Sequence, residues 1–396
     1  MIGFQKLAAV LTAALLLWGC GASVDYISVP QSQVDDAKVV GFSKIRFWGD
    51  TGGEDLAAHM NERWEQSKSR YGRLSRASRS GRFTLALLSI SGGGANGSFG
   101  AGVLNGWTKK GDRPQFEAVT GISTGALIAP YAFLGTTYDE QLEAVYTTIS
   151  TKDVLRKKGI GGVLTGTSYA DSTPLYNLIS SHVTPELLQK IAKEHKKGRR
   201  LWVGTTNLEA GRPVIWDMGK IAASGHPEAL TLFRKILLAS ASIPGAFPPV
   251  PINVTVDDVA YQEVHVDGGT TNQAFLYPGQ LRATRRMKRA PKAIPKVYII
   301  RNAKVRPEWK KVEGQTLAIA ARAVDTLLTS QGDADMYKIF AITKRDGFDF
   351  NLAYIPLEFE FPKSEPFDNA YMNALYDTGY NVGLGGKSWI KNPYGF

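Results

Sequence analysis

The chain has 396 residues, 43% of them hydrophobic and 21% charged, with a formal net charge of +11. A single cysteine, Cys20, excludes a disulfide within the chain, and neither CxxC nor HExxH spacing occurs, so no metal cluster and no cofactor is expected. The positive balance is consistent with an anionic partner, and the absence of internal repeats suits one α/β domain.

At the N-terminus, Lys6 supplies a modestly positive start, residues 7–18 form a short apolar stretch, and Leu17-Trp18-Gly19-Cys20 follows. Twelve residues are too few to span a bilayer, so residues 1–19 are expected to be a signal peptide. The order Leu, variable residue, Gly, Cys resembles the bacterial lipobox, which makes Cys20 the lipidated first residue of the mature chain. Cleavage near Ala22 in an ordinary secreted protein is the alternative. Several acyl chains on Cys20 would hold the protein at a membrane surface. Gly21 is not the Asp that commonly retains lipoproteins at the inner membrane, so the expected location in a Gram-negative host is the outer membrane, facing the periplasm. Residues 20–80 then read as a tether and packing extension. Within it, 22–36 is polar and irregular, 45–48 could be one strand, and 54–71 reads as a polar helix with too few apolar residues for its own core.

Residues 84–90 (TLALLSI) are an apolar run of strand length, followed by Ser91 and the glycine run Gly92-Gly93-Gly94-Ala95-Asn96-Gly97, after which 98–107 resumes as a helix. A strand, a glycine loop and a helix N-terminus together present several backbone N–H groups to one point, as anion stabilisation requires. The Walker pattern fails, because no Lys-Ser or Lys-Thr follows the glycines, and the dinucleotide fingerprint matches only by letter. Next come a short strand at 116–120 (FEAVT), Gly121-Ile122-Ser123-Thr124-Gly125, and a buried-type helix at 126–134. GxSxG by itself arises by chance in roughly one chain in ten of this length and can be a plain glycine turn. Following a strand and a glycine loop, it reads as a sharp turn presenting the Ser123 hydroxyl as a nucleophile at a helix N-terminus.

A nucleophilic serine needs a base. The five histidines are His59, His182, His195, His226 and His265, and none follows His265, where the α/β-hydrolase chain order would place one. The segment at 261–266 alternates as a strand and ends in Asp267-Gly268-Gly269. Taken locally this is an ordinary Asp-Gly turn. The alternative is that Asp267, buried among few donors, has its pKa raised enough to accept the Ser123 proton directly.

These blocks, together with 239–249 (ASASIPGAFPP), resemble the patatin-like phospholipase family from about residue 84 to 267, and more loosely to 356. The resemblance implies a three-layer α/β/α sandwich with a mainly parallel sheet and hydrolysis of lipid acyl esters by a Ser-Asp dyad. It assigns Ser123 as nucleophile, Asp267 as base and the Gly92, Gly93 and Gly94 backbone as oxyanion hole, with Gly97, Gly121, Gly125, Gly268 and Gly269 as motif glycines. Two positions depart from the family pattern: Asn96 stands where Arg or Lys is usual, and Ser91 where Asp is common. An acyltransferase using the same acyl-enzyme, and a non-enzymatic lipid-binding lipoprotein, are the competing functions.

Further along, 201–206 and 213–217 read as strands, 229–239 as a helix, 296–301 as a buried strand, 315–340 as a long helix and 351–356 as a closing strand. The catalytic domain is expected over 81–360, with 361–396 as an extension of Gly, Pro, Asn and Tyr packed on it in extended form. Two basic clusters, Arg282, Arg285, Arg286, Lys288, Arg289, Lys292 and Lys296, and Lys193, Lys196, Lys197, Arg199 and Arg200, read either as solvated faces or as a patch for anionic headgroups. No nucleic-acid motif is present. The expected partners are a phospholipid or lysophospholipid substrate and the membrane surface reached through Cys20.

Overall fold

The computed structural model describes residues 25–51, 53–77, 80, 82–159, 168–279, 293–385 and 389–395. Cys20, the signal segment and the basic stretch 282–292 lie outside the described residues. The strands are β1 (Lys38–Val39), β2 (Arg46–Trp48), β3 (Phe83–Ile90), β4 (Phe116–Ile122), β5 (Arg156–Lys157), β6 (Ala170–Asp171), β7 (Arg200–Asn207), β8 (Arg212–Asp217), β9 (Val250–Val256), β10 (Val259–Asp267), β11 (Ala293–Arg301) and β12 (Asp349–Tyr354). Five of them, in the order β12-β11-β3-β4-β7, run parallel and form the middle of the sheet. Beyond β7 the pairing turns antiparallel, to β8 and β2 along one edge and to β10, β9 and β1 along the other.

Both faces of the parallel strands are covered, which is why their sequences read as near-continuous apolar runs. In β3, Leu88 and Ile90 face a cluster that includes Phe99, Val103, Ile128, Phe133 and Phe233. These come from helices α2 (Gly97–Lys110), α3 (Thr124–Leu134) and α4 (Ala229–Ser240). Leu85 and Leu87, one pleat out of phase, join Leu56 and Tyr71 of α1 (Gly53–Ala77) with Met336, Ile339 and Ile342 of α5 (Thr316–Asp346). The result is a three-layer α/β/α sandwich.

The N-terminal extension is part of this architecture: β1 pairs with β9, and β2 with β8. The C-terminal segment differs from the extended form expected of it, because Asn369–Gly385 is a helix, α6. Its composition is poor for an isolated helix, but packing compensates. Gly379 and Gly383 lie against the Phe99 and Val103 carbonyls of α2, while Gly102 and Gly106 lie against the Tyr376 and Tyr380 carbonyls of α6. A Cβ at any of the four would strike backbone, so the two helices approach at a distance only glycine allows.

Candidate active site

Two strands that approach from opposite directions share one edge of β7. Parallel β4 runs along it until Ile122 stands opposite Gly204, and antiparallel β10 arrives from the other side until Asp267 stands opposite Thr205. The chain ends of β4 and β10 therefore meet at adjacent positions of β7, which brings Ser123 and Asp267 together although 144 positions separate them. Gly268 makes this possible, since a Cβ there would press on the Gly204 carbonyl and the Ile122 side chain.

Ser123 adopts φ 54°, ψ −126°, a conformation L-residues rarely hold, and α3 starts at the next residue. The strained turn is fixed from behind: Ser123 N–H donates to Ser240 Oγ at 3.0 Å, and Ser240 Oγ donates to the Gly204 carbonyl at 2.7 Å. Gly121 and Gly125 let the arms of the turn and the end of β3 close on one another. Ser123 is 6% exposed and Asp267 4%.

Asp267 N–H donates to the Ser242 carbonyl at 2.8 Å, and its Oδ1 accepts the Gly269 N–H at 2.7 Å. Among the described residues Oδ2 has no hydrogen-bond partner. Burial pushes the carboxyl up to about 7, while the neighbouring Ser123 hydroxyl and the Gly269 N–H pull it down. Ser123 is thus near enough to favour the ionised form, yet no closed hydrogen bond joins it to Oδ2. The carboxyl is left half-ionised near neutrality with a lone pair free, as proton transfer from an adjacent hydroxyl requires.

The glycine loop lies against this pair, for a Cβ on Gly92 would come 3.3 Å from Ser123 Cβ. Gly92 itself corrects an expectation: its N–H donates to the Gln273 carbonyl at 3.0 Å and is not available to an oxyanion. Gly93, at φ 154°, and Gly94, at φ 56°, have N–H groups with no partner among the described residues. Gly97 packs on Thr124 at the start of α3, and Gly269 lies beside Gln273. Neither departure from the family pattern leaves a gap. Ser91 Oγ accepts the Asn302 N–H at 2.9 Å, Asn302 Nδ2 returns a bond to the Ser91 carbonyl at 2.9 Å, and Asn96 Oδ1 accepts the Tyr371 hydroxyl of α6 at 2.8 Å.

Four supporting residues carry no local sequence signal for this role: Ser240, Gln273, Asn302 and Asp335. Asp335 of α5 accepts the Gln273 N–H at 2.6 Å, the Ala274 N–H at 3.2 Å and Asn272 Nδ2 at 3.1 Å. It thereby fixes the loop whose Gln273 carbonyl holds Gly92. Ser240 alone lay inside a motif that the sequence singled out.

No histidine hydrogen-bonds to Ser123 or Asp267 among the described residues. His265 bonds Thr205 Oγ1 at 2.9 Å and Glu263 at 3.1 Å, His59 bonds Asp217 at 3.3 Å, and His226 accepts the Glu228 N–H at 3.1 Å. His195 faces Asp217 at 3.5 Å. Among the described residues no group of three His, Cys, Asp or Glu could hold a metal.

Among solved structures, VipD from Legionella pneumophila is similar at 12% identity over 78% of this chain and 68% of that one, with a TM-score of 0.39. Human GIVD cytosolic phospholipase A2 is similar at 10% identity over 87% of this chain and 67% of that one, with a TM-score of 0.33. No curated protein matches. Residues 88–277 match the family model for patatin-like phospholipases. The chain therefore carries a patatin-like phospholipase domain, and lipid hydrolysis is the activity that this family supports.

Proposed function

We propose that the protein is a phospholipase A or lysophospholipase that cleaves membrane-lipid acyl esters through a Ser123-Asp267 dyad, anchored by lipid on Cys20 at the outer membrane and facing the periplasm. The observation that carries the dyad is the buried Asp267 carboxyl beside Ser123, with Oδ2 unpaired and its pKa near 7. In the first step the Ser123 hydroxyl proton passes to Asp267, Oγ bonds to the ester carbonyl carbon, and the oxyanion takes the free N–H groups of Gly93 and Gly94. The ester C–O bond then breaks, and the leaving alcohol takes the proton back from Asp267. Water repeats the sequence on the acyl-enzyme: Asp267 accepts its proton, hydroxide attacks the acyl carbon, and Ser123 is restored as the fatty acid leaves.

The test is a serine-reactive phosphonate together with lipid analysis of treated membranes. The proposal expects the probe on Ser123 in wild type, no labelling of Ser123→Ala, and fatty acid release by wild type alone. Equal labelling of Ser123→Ala would overturn it. Transfer of the acyl group to an added alcohol, with no free fatty acid, would make the protein an acyltransferase.

A further inference from the structure

Helix α5 is half anchored and half free. From Asp335 onward it packs through Met336, Ile339 and Ile342, whereas residues 319–321 and 323–327 are exposed. That free half carries an apolar stripe. Ile319, Ala320, Ala323, Val324 and Leu327 fall within about 140° of the helix circumference at 100° per residue, and Arg322, Asp325 and Thr329 fall opposite. Leu327 is 69% exposed and Ile319 53%.

The segment that leads into the helix lies along it, because Arg322 Nη2 donates to the Glu308 carbonyl at 2.7 Å. It contains Trp309, which is 88% exposed, between Glu308 and the exposed Lys310-Lys311 pair. Lys304 pairs with Glu308 at 2.6 Å, and Arg322 with Asp325 at 2.8 Å. Lys310 and Lys311 form no ion pair among the described residues. A tryptophan followed by two such lysines, on the segment that leads into a helix with an exposed apolar stripe, is chemistry suited to the boundary between headgroups and acyl chains.

Both roots of this surface reach the candidate active site. Asn302, at its start, is bonded to Ser91, and Gly332, at its end, adjoins Gln273 and is followed by Asp335. Its basic edge reaches the glycine loop by another route. Lys363 lies over the Tyr371 ring at 5.0 Å, and Tyr371 holds Asn96. Although the Lys363 side chain reaches solvent, its ammonium is pushed below the ordinary lysine value, first by the protein packed about it and then by Lys310, with Asp368 opposing.

We propose that Trp309, Lys310, Lys311 and the apolar stripe of Ile319, Val324 and Leu327 form a docking surface for an anionic phospholipid bilayer, which seats the mouth of the site on its substrate. The proposal rests on the lipid-hydrolase reading for its purpose, not for its geometry. Its test uses the full chain carrying Cys20→Ser, so that no acyl chain at residue 20 contributes, and vesicles of phosphatidylglycerol or phosphatidylcholine. Wild type should co-sediment with phosphatidylglycerol vesicles at least tenfold better than with phosphatidylcholine. Trp309→Ser/Leu327→Ser and Lys310→Glu/Lys311→Glu should each lose at least tenfold in binding and in vesicle hydrolysis. Both variants should keep the wild-type thermal midpoint and, within about twofold, its hydrolysis of a soluble short-chain ester.

Equal binding by wild type and both variants would overturn the proposal. So would a wild-type dimer in vesicle-free sedimentation that the apolar variant alone dissociates while vesicle binding persists, since the surface would then belong to a second copy. Vesicle binding lost in the variants, with no ester cleaved even by wild type, would uphold the surface and refute the hydrolase. Ser123→Ala should bind vesicles as wild type does.

Discussion

Asp267 and Asp217 are both buried, both end a strand paired to β7, and stand opposite Thr205 and Trp202, yet their carboxyls are displaced in opposite directions. Around Asp217 burial works against ionisation, but His59, His195 and Arg200 converge on it and hold its pKa well below the usual carboxylate range. Around Asp267 the described residues place no cation, only one backbone N–H and a serine hydroxyl, and burial prevails. Depth therefore does not make a base. The absence of counter-charge at one end of β7, and its supply at the other, separates a reactive carboxyl from a structural one. Glu263, four residues before Asp267, repeats the structural case: burial would raise it, yet Arg46 and His265 hold it down to about 2.

The largest expected effect comes from exchanging each carboxyl for its amide. Asp267→Asn should lower kcat/KM on a soluble ester by about 10²–10⁴-fold, the usual share of a general base. Asp217→Asn should leave kcat/KM of the folded protein within about threefold. Its cost falls on stability instead, about 3–5 kcal/mol in urea unfolding, because Arg200 is left buried without its carboxylate. A large activity loss in Asp217→Asn with unchanged stability would break the distinction.

Stability should also separate the pair by sign. The folded pKa of Asp267 lies above its unfolded value, so the native state binds the extra proton between about pH 4 and 7, and stability falls as pH rises through that window. Asp267→Asn removes this penalty and should stabilise the protein at pH 8 by about 2–4 kcal/mol, with the gain vanishing near pH 4. Asp217 runs the other way, contributing stability above about pH 4 that is lost on acidification. Urea midpoints at the two pH values check both signs.

The smallest effect sharpens the comparison from the rim. Asn96→Arg would place a cation on the glycine loop and break the bond from Tyr371. Because oxyanion stabilisation rests on backbone N–H groups, turnover should change by less than about tenfold, or roughly 1.4 kcal/mol.

Much of this was legible in the sequence, for identifiable reasons. β3 and β4 are apolar runs buried on both faces, and the glycine loop, GISTG and DGG blocks have backbone requirements that few other residues meet. What could not be read was the meeting of β4 and β10 on β7, a tertiary fact with no local trace. The same holds for Gln273 and Asp335, which act through bonds to distant chain, and for Gly92, whose N–H is taken by a carbonyl 181 positions away. Asp257-Asp258 was different, because the signal existed: both residues have positive φ, 47° and 64°, in a two-residue turn between strands β9 and β10. Helix α6 escaped a reading by composition because its glycines serve a close interface with α2.

The central claim is that the uncompensated carboxyl of Asp267 takes the proton of Ser123. The rate at which a phosphonate modifies Ser123, followed from pH 5 to 9 in wild type and Asp267→Asn, tests it most directly. Wild type should rise with a single ionisation at about 7, and the variant should be slow and flat across the range. The same rise in Asp267→Asn would contradict the account and assign the ionisation to another group.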